Sequence, residues 1–162
     1  MKNLLLIIPA LVFISATLVA CDAPEDKTVD ASIASQTAYA FATTPKAKTG
    51  AIFLTLKNDT DQEDSLIGVK SDLAEITEIH ENLIDPDDGK MMMRRIREIT
   101  IPANSSVDLT PTGYHIMLIK LKQPLKQGDQ HSVTLEYKNK GTVEVDFIVT
   151  APGKKPSRGG TQ

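Results

Sequence analysis

The sequence is poor in the residues that many small domains use as cross-links or as large core side chains. Its 162 residues include one cysteine, Cys21, and no tryptophan, and aromatic residues make up 4% of the chain. A single cysteine excludes an intrachain disulfide, so hydrophobic packing has to stabilise the fold unaided. With so few aromatic residues, that packing has to come mainly from valine, isoleucine and leucine.

The charged residues show no strong excess of one sign. Lysine and arginine number 18 and aspartate and glutamate number 21, which gives a formal net charge of −3 at pH 7. Nucleic-acid-binding proteins usually carry a clear excess of basic residues, so we expect no nucleic-acid partner. We recognise no general base, no cofactor-binding loop and no nucleophile with its activating residues, so we expect a protein that is not an enzyme.

The N-terminus has the features of an export signal. Lys2 is followed by an apolar run over residues 4–13 and then by small residues, a segment too short for a membrane-spanning helix. The letters LVAC that end at Cys21 resemble the lipobox of bacterial lipoproteins, in which the cysteine becomes the lipidated first residue. We therefore expect residues 1–20 to be a lipoprotein signal peptide. The alternative is ordinary cleavage that leaves a free thiol at Cys21.

The same features predict where the protein is held and how the chain is divided. We expect a lipid anchor at Cys21 on the periplasmic face of a bacterial membrane, and Asp22 resembles the residue that retains many such lipoproteins at the inner membrane. Residues 21–36 are polar and acidic, as in a tether. Residues 37–150 should form one folded domain, and residues 151–162, rich in Pro, Gly and basic residues, should be a disordered tail.

The domain sequence predicts strands and no helix. Short runs rich in β-branched residues are separated by Asn, Asp, Gly and Pro, at a spacing typical of an antiparallel β-sandwich. The predicted strands are TAYAFA, AIFLTLK, SLIGVK, AEITEIHE, KMMMRRIRE, SVDL, YHIMLIKL, HSVTLEYK and TVEVDFIV. The two runs on either side of NLIDPDDG should form a hairpin.

Methionine is scarce and unevenly placed. Apart from Met1, it occurs only at Met91–Met93 in one predicted strand and at Met117 in another. Each group has a histidine close by, since the predicted hairpin brings His80 near the methionine run and His115 lies two residues before Met117. Alternate residues of a strand share a face. The first and third methionines of the run therefore point one way and the second the other, and His115 shares a face with Met117.

Two histidines and two thioethers in one neighbourhood favour Cu(I). Methionine sulfur binds Cu(I) well and is a poor ligand for zinc, magnesium or calcium. A blue-copper site requires a cysteine ligand, and a catalytic zinc site requires a third histidine or a cysteine. No cysteine and no third histidine is in place near these residues, so both kinds of site are disfavoured. The alternative is that the methionines fill gaps in the core and that His115 is a hydrogen-bonded core residue.

The spacing of these residues resembles a known family. Twelve residues separate His80 from Met93, twenty-one separate Met93 from His115, and one separates His115 from Met117. This spacing closely resembles the signature of the periplasmic copper(I) chaperones called PCuAC. The similarity continues through IPANSSVDLTPTGYHIMLIKLKQPLKQGD. This resemblance implies an all-β, Greek-key, cupredoxin-like sandwich that binds one Cu(I) ion. It implies four ligands, His80, Met93, His115 and Met117, with Met91 as a reserve donor.

The resemblance also implies a role and a partner. Such a protein carries Cu(I) outside the cytoplasm to a copper-accepting protein, either cytochrome c oxidase subunit II, whose CuA site it helps to assemble, or another copper chaperone. One competing hypothesis is an envelope lipoprotein whose sandwich serves only as an interaction module without metal. Another is a copper-using enzyme, although no catalytic constellation accompanies the proposed ligands.

Two features depart from the usual family pattern. The first interval is two residues longer, and the surplus fits within the predicted turn Pro86–Gly89, where an insertion of two preserves strand parity. Many members also carry a methionine just after the first histidine, where this chain has Asn82 and Leu83. The C-terminal tail contains neither histidine nor methionine, so we expect one Cu(I) site and no ligand role for His131.

Overall fold

The computed structural model describes residues 38–156, and every regular element in this range is a β-strand. The predicted signal peptide, the lipidation at Cys21 and the tether over 21–36 lie outside the described residues, as do residues 157–162 of the predicted tail. Within the described range there is no helix with the length and hydrophobicity needed to cross a membrane.

Eleven strands make up the described part of the chain. In chain order they are β1 Ala38–Phe41, β2 Thr49–Phe53, β3 Thr55–Asn58, β4 Asp64–Lys70, β5 Ala74–Ile84, β6 Met91–Arg95, β7 Ile99–Ile101, β8 Ser105–Asp108, β9 Tyr114–Leu121, β10 Gln130–Tyr137 and β11 Gly141–Thr150. The turns between them carry positive φ angles at residues that tolerate them, for example 70° at Gly89 and 50° at Asn104.

Nine of these strands form one sheet in the order β6-β5-β9-β2-β1-β11-β10-β4-β7, and β3 pairs with β8 in a second, two-stranded sheet. The prediction of an all-β, Greek-key, cupredoxin-like sandwich is confirmed. One pairing departs from a purely antiparallel arrangement, because β1 and β11 are parallel. These two strands are the first and the last of the domain, so the whole intervening chain serves as the long crossover that a parallel pair requires.

The large sheet folds over an aliphatic core. β4 and β5 lie against each other although five strands separate them in the hydrogen-bonded order. Leu66 of β4, Ile79 of β5 and Leu118 of β9 belong to the same buried cluster, in which Tyr137 and Phe147 are the aromatic members among the described residues. The composition therefore predicted the nature of the core correctly.

The structure differs from the predicted strands most clearly at two places. The run AIFLTLK is divided at Leu54 into β2 and β3, which belong to different sheets, because three consecutive residues, 52–54, are buried and the alternation of a single strand is interrupted there. The short strand β7 was not predicted. It has only three residues, with Thr100 exposed between the buried Ile99 and Ile101. Such a short alternation gives little sequence signal, and the strand is defined by its pairing with the distant β4.

A buried asparagine organises the end of β3. Asn58 is 1% exposed. Its Nδ2 donates to the carbonyl oxygens of Gln62 (2.8 Å), Ile101 (3.1 Å) and Pro102 (3.2 Å), and its Oδ1 accepts from the backbone N–H (3.1 Å) and the hydroxyl (2.7 Å) of Thr60. One amide therefore joins the loop after β3 to β7.

We expect Asn58→Ala to lower the free energy of unfolding by about 2–3 kcal/mol, because it leaves buried backbone groups without partners. Urea unfolding followed by circular dichroism measures this. Asn139→Ala is the matched control, since its exposed side chain makes one hydrogen bond, to the carbonyl of Glu63 at 3.0 Å, and its loss should cost less than about 1 kcal/mol. Equal urea midpoints for the two variants would contradict the role of Asn58.

Candidate metal centre

Two histidines face each other across neighbouring strands. His80 of β5 and His115 of β9 are register partners, and their ring centroids are 5.9 Å apart. Strand alternation turns Ile116 and Leu118 into the core and His115 to the opposite face of the sheet. His115 is nevertheless only 2% exposed, whereas the side chain of His80 is 13% exposed. The pair thus consists of one buried imidazole and one more accessible imidazole.

The hydrogen bond of His115 determines which ring nitrogen is free. Its Nδ1–H donates to the carbonyl oxygen of Gly113 at 3.1 Å, since a carbonyl can only accept. In the neutral ring the lone pair therefore lies on Nε2. Burial lowers the pKa of His115; the bond to Gly113 opposes this shift, and the neighbouring His80 adds to it. The imidazole is therefore neutral at neutral pH, as a metal ligand has to be.

His80 presents the opposite nitrogen. Its Nε2–H donates to Oε2 of Glu78 at 2.8 Å, because a carboxylate can only accept. The lone pair of the neutral ring then lies on Nδ1, which is buried and has no hydrogen-bond partner among the described residues. A buried nitrogen lone pair without a partner is costly. A metal-binding histidine commonly has this arrangement, with one nitrogen held by a carboxylate and the other on the metal.

The hairpin predicted from the methionine run is confirmed. β5 and β6 are antiparallel partners joined by a loop over residues 85–90. In this register Met93 lies opposite Asn82, on the face that carries His80, and Met92 lies on the other face. His80 and Met93 thus share a face, as the predicted strand parity requires.

Met117 lies on the same face of the sheet. It pairs with Glu78 of β5 on one side and with Ala51 of β2 on the other, and it is partly buried. Each of Met93 and Met117 is one pleat, or about 7 Å, away from the histidine row along the strand direction, and they lie on opposite sides of it. Their long side chains have to extend toward the imidazoles for all four predicted ligands to meet at one ion. Without the methionines, no group of three or more histidine, cysteine, aspartate or glutamate side chains within residues 38–156 is placed to hold a metal ion.

Two polar residues next to the histidines were not predicted to have a role. Glu78 accepts from His80, and its Oε1 lies 3.4 Å from Nε of Arg95. Asn82 donates through Nδ2 to the carbonyl of Pro111 at 2.8 Å and through its backbone N–H to that of Gly113 at 3.0 Å. The two-residue period of β5, which puts positions 78, 80 and 82 on one face, was the available sequence signal.

Three other residues, among them His131, lie away from this face. Arg94 pairs with Glu81, at 3.0 and 3.1 Å, on the other face of the hairpin. Tyr114 packs against the hydrophobic core. His131 is on β10, separated from β5 by four strands in the sheet, and lies 3.9 Å from a carboxylate oxygen of Asp129.

Aromatic side chains border the buried histidine. Tyr39 and Phe41 of β1 and Phe53 of β2 form a cluster with ring centroids 5.2 to 5.6 Å apart. Phe53 is also 6.4 Å from the ring of His115. This cluster supplies part of the apolar environment that lowers the pKa of His115.

Solved structures similar to this one include PCuAC domains. The copper-bound PCuAC domain from PmoF2 is 25% identical, with a TM-score of 0.59, and the match covers 71% of this chain and 89% of that domain. The Cu(I) form of DR1885 from Deinococcus radiodurans is 30% identical, with a TM-score of 0.58 over 73% of this chain and 78% of that protein. The resemblance to PCuAC proteins inferred from the histidine–methionine spacing is thus confirmed.

The similar sequences include one that is named as a putative lipoprotein. Putative lipoprotein Lxx21020 of Leifsonia xyli subsp. xyli is 34% identical over 95 residues, and protein RP573 of Rickettsia prowazekii is 32% identical over 89 residues. These matches cover 59% and 55% of this chain and 57% and 49% of the two relatives, so the chain spans about half of their length. The family model described as putative lipoprotein LpqE-like matches residues 33–149. Because this match includes more than half of the chain, the protein belongs to the LpqE-like family.

Proposed function

We propose that this protein is an extracytoplasmic Cu(I) chaperone that binds one copper ion and carries it to an acceptor. The observation that carries the proposal is the pair of free nitrogen lone pairs, Nδ1 of His80 and Nε2 of His115, on rings 5.9 Å apart. The copper-bound PCuAC domain and the Cu(I) form of DR1885 support it, since both are similar to this chain.

The proposed ligands are His80, His115, Met93 and Met117, with Met91 as a reserve donor. Two neutral imidazoles and two thioethers suit a soft, singly charged ion and bring no negative charge that would attract harder divalent cations. The apolar surroundings of His115 keep its ring neutral, so copper does not have to displace a proton from it near pH 7.

The exposure of the ligands suits release to a partner. β6 is an edge strand, and all five of its residues are exposed, with Met93 at 52%. An acceptor can therefore replace Met93 first, while the buried His115 still holds the ion. Stepwise exchange of this kind lets copper pass between proteins without being released into water.

The proposed location is the periplasmic face of the inner membrane, with a lipid on Cys21. The lipobox-like sequence and the lipoprotein names of the family and of a relative support this. A sixteen-residue segment over 21–36 can span at most about 55 Å when extended. That distance is enough to bring the domain to a membrane-bound acceptor such as cytochrome c oxidase subunit II, at its CuA site, or to another copper chaperone.

A second candidate function is that of an interaction module without metal. It is favoured by the distribution of large hydrophobic side chains that are exposed. In the described part of the chain these all lie on three strands, β4, β5 and β6, and they are Ile67, Ile76, Ile84, Met91, Met92 and Met93. Four of them, Ile84 and Met91–Met93, lie in one hairpin, and contiguous exposed apolar surface often marks a protein interface. A copper chaperone also needs a docking surface, so copper binding itself is the property that separates the two functions.

Anaerobic titration with Cu(I) in competition with a chromophoric Cu(I) chelator should give one equivalent bound per protein. His80→Gln and His115→Gln should each weaken binding by on the order of tenfold or more, since a nitrogen ligand is lost. His131→Gln, outside the site, should leave the affinity unchanged. Failure of the wild-type protein to compete for Cu(I) would favour the interaction module.

The three adjacent methionines provide an internal control for the ligand assignment. Substitution by leucine keeps the side-chain volume and normally costs less than about 1.5 kcal/mol of stability, so a large effect on copper reports the lost sulfur. We expect Met93→Leu to weaken Cu(I) binding by on the order of tenfold. Met91→Leu should weaken it only slightly, and Met92→Leu, on the other face, should not change it. If Met91→Leu is the most damaging, the ligand is one pleat nearer the loop.

Acidification should destabilise the copper-free protein through His115. Its pKa in the folded state lies below the value of about 6.5 expected for an unfolded chain. Between the two values the unfolded state binds more protons, so the free energy of unfolding falls as the pH drops below about 6.5. The urea midpoint should therefore be lower at pH 5.5 than at pH 7.5.

His115→Gln should reduce this difference because it removes the titrating ring, and His131→Gln controls for the loss of one histidine elsewhere. An unaltered pH effect in His115→Gln would show that the buried ring does not contribute to it.

A further inference from the structure

A carboxylate lies on the proposed copper-binding face without being a suitable ligand for copper. Glu78 pairs in register with Met117 and precedes His80 by two residues, so its side chain is on the face of the four predicted ligands. Its Oε2 is 2.8 Å from Nε2 of His80, and its Oε1 is 3.4 Å from Nε of Arg95. A hard oxygen donor is poorly matched to Cu(I), so another role has to account for this placement.

We propose that Glu78 is the positioning residue of the site, which holds His80 in the tautomer and orientation that direct Nδ1 at copper. This inference rests on the proposed copper function. A carboxylate cannot donate, so the bond to Glu78 keeps the ring proton on Nε2. The lone pair is thereby placed on Nδ1, the buried nitrogen that has no partner among the described residues.

Arg95 extends this arrangement to the neighbouring strand. It lies directly opposite His80 in the β5–β6 register, and its guanidinium meets the second oxygen of Glu78. Both carboxylate oxygens are thus engaged, and the charge of Glu78 is balanced without copper. The contact joins the imidazole on β5 to the strand that carries Met93. Glu78 therefore fixes His80 and also links it to β6, one of the three strands that carry predicted ligands.

The hairpin contains a matched control for this role. Glu81 and Arg94 are a carboxylate–guanidinium pair between the same two strands, with contacts of 3.0 and 3.1 Å, but they lie on the opposite face from His80. Removing Glu81 deletes a similar ion pair and a similar side chain. It leaves the hydrogen bond of His80 intact.

The first measurement uses the copper-free protein and does not depend on copper binding. Long-range ¹⁵N–¹H correlation spectra at pH 8 report which nitrogen of each neutral imidazole carries the proton. For the wild type and Glu81→Ala we expect His80 to be a single tautomer with a protected Nε2 proton. In Glu78→Ala this proton should exchange rapidly and the nitrogen shifts should move toward those of a tautomer mixture. An unchanged His80 spectrum in Glu78→Ala would overturn the inference.

The second measurement is Cu(I) affinity by anaerobic chelator competition. Loss of a carboxylate that supports a metal-bound histidine typically costs 10–100-fold in affinity. We expect a loss of about tenfold for Glu78→Ala and a change of less than about twofold for Glu81→Ala. Glu78→Gln keeps a neutral acceptor and the side-chain length, so it should recover part of the loss, and it replaces the alanine variant if that variant does not fold.

The outcomes separate this inference from the proposed function. Equal affinity in the wild type and Glu78→Ala, or tighter binding in Glu78→Ala, would overturn the positioning role; tighter binding would mean that Glu78 competes with copper for His80. A wild-type protein that shows the single His80 tautomer and binds no Cu(I) would overturn the copper function and, with it, the purpose assigned to Glu78.

Discussion

The antiparallel pairing of β5 with β9 is the interaction on which the site depends. β5 has eleven residues and is shared, since it pairs with β9 on one side and with β6 on the other. A slip of one residue between β5 and β9 would turn one histidine toward the core and separate the pair. The two hydrogen bonds from Asn82 to the carbonyls of Pro111 and Gly113 lie at the end of this pairing and resist such a slip.

Desolvation and charge act together around the two imidazoles. His115 is buried beside Phe53 and keeps a neutral ring, whereas His80 lies next to Glu78, whose charge Arg95 balances. A neutral donor set in apolar surroundings disfavours strongly hydrated divalent cations, since these would lose solvation without gaining anionic ligands. Cu(I) carries a single positive charge and gains soft donors, so it loses less solvation free energy on entering the site. This difference accounts for the preference that the site should show for Cu(I).

Strand periodicity made a large part of this arrangement predictable. The side on which each methionine lies, the hairpin that carries them and the aliphatic core all follow from alternation, turn residues and composition. What periodicity does not give is the partner of each residue across the sheet. Glu78 and Asn82 could be placed on the face of His80, but their bonds to His80 and to Gly113 depend on the register and on side-chain geometry. The strand β7 was missed for a similar reason, because three residues carry too little pattern and its pairing is set by the distant β4.

The position of β6 at the edge of the sheet has a consequence for solubility. An edge strand offers unpaired backbone N–H and C=O groups to any other strand, and exposed apolar side chains make such pairing more favourable. Lys90 precedes the three methionines of β6, and Arg94 and Arg95 follow them. Charged side chains on an edge strand, lysine above all, oppose edge-to-edge pairing with a second copy, because that pairing would remove them from water. The same charges do not prevent contact with another protein, so the edge that carries the exposed thioethers remains open to other proteins while it is protected from its own copies.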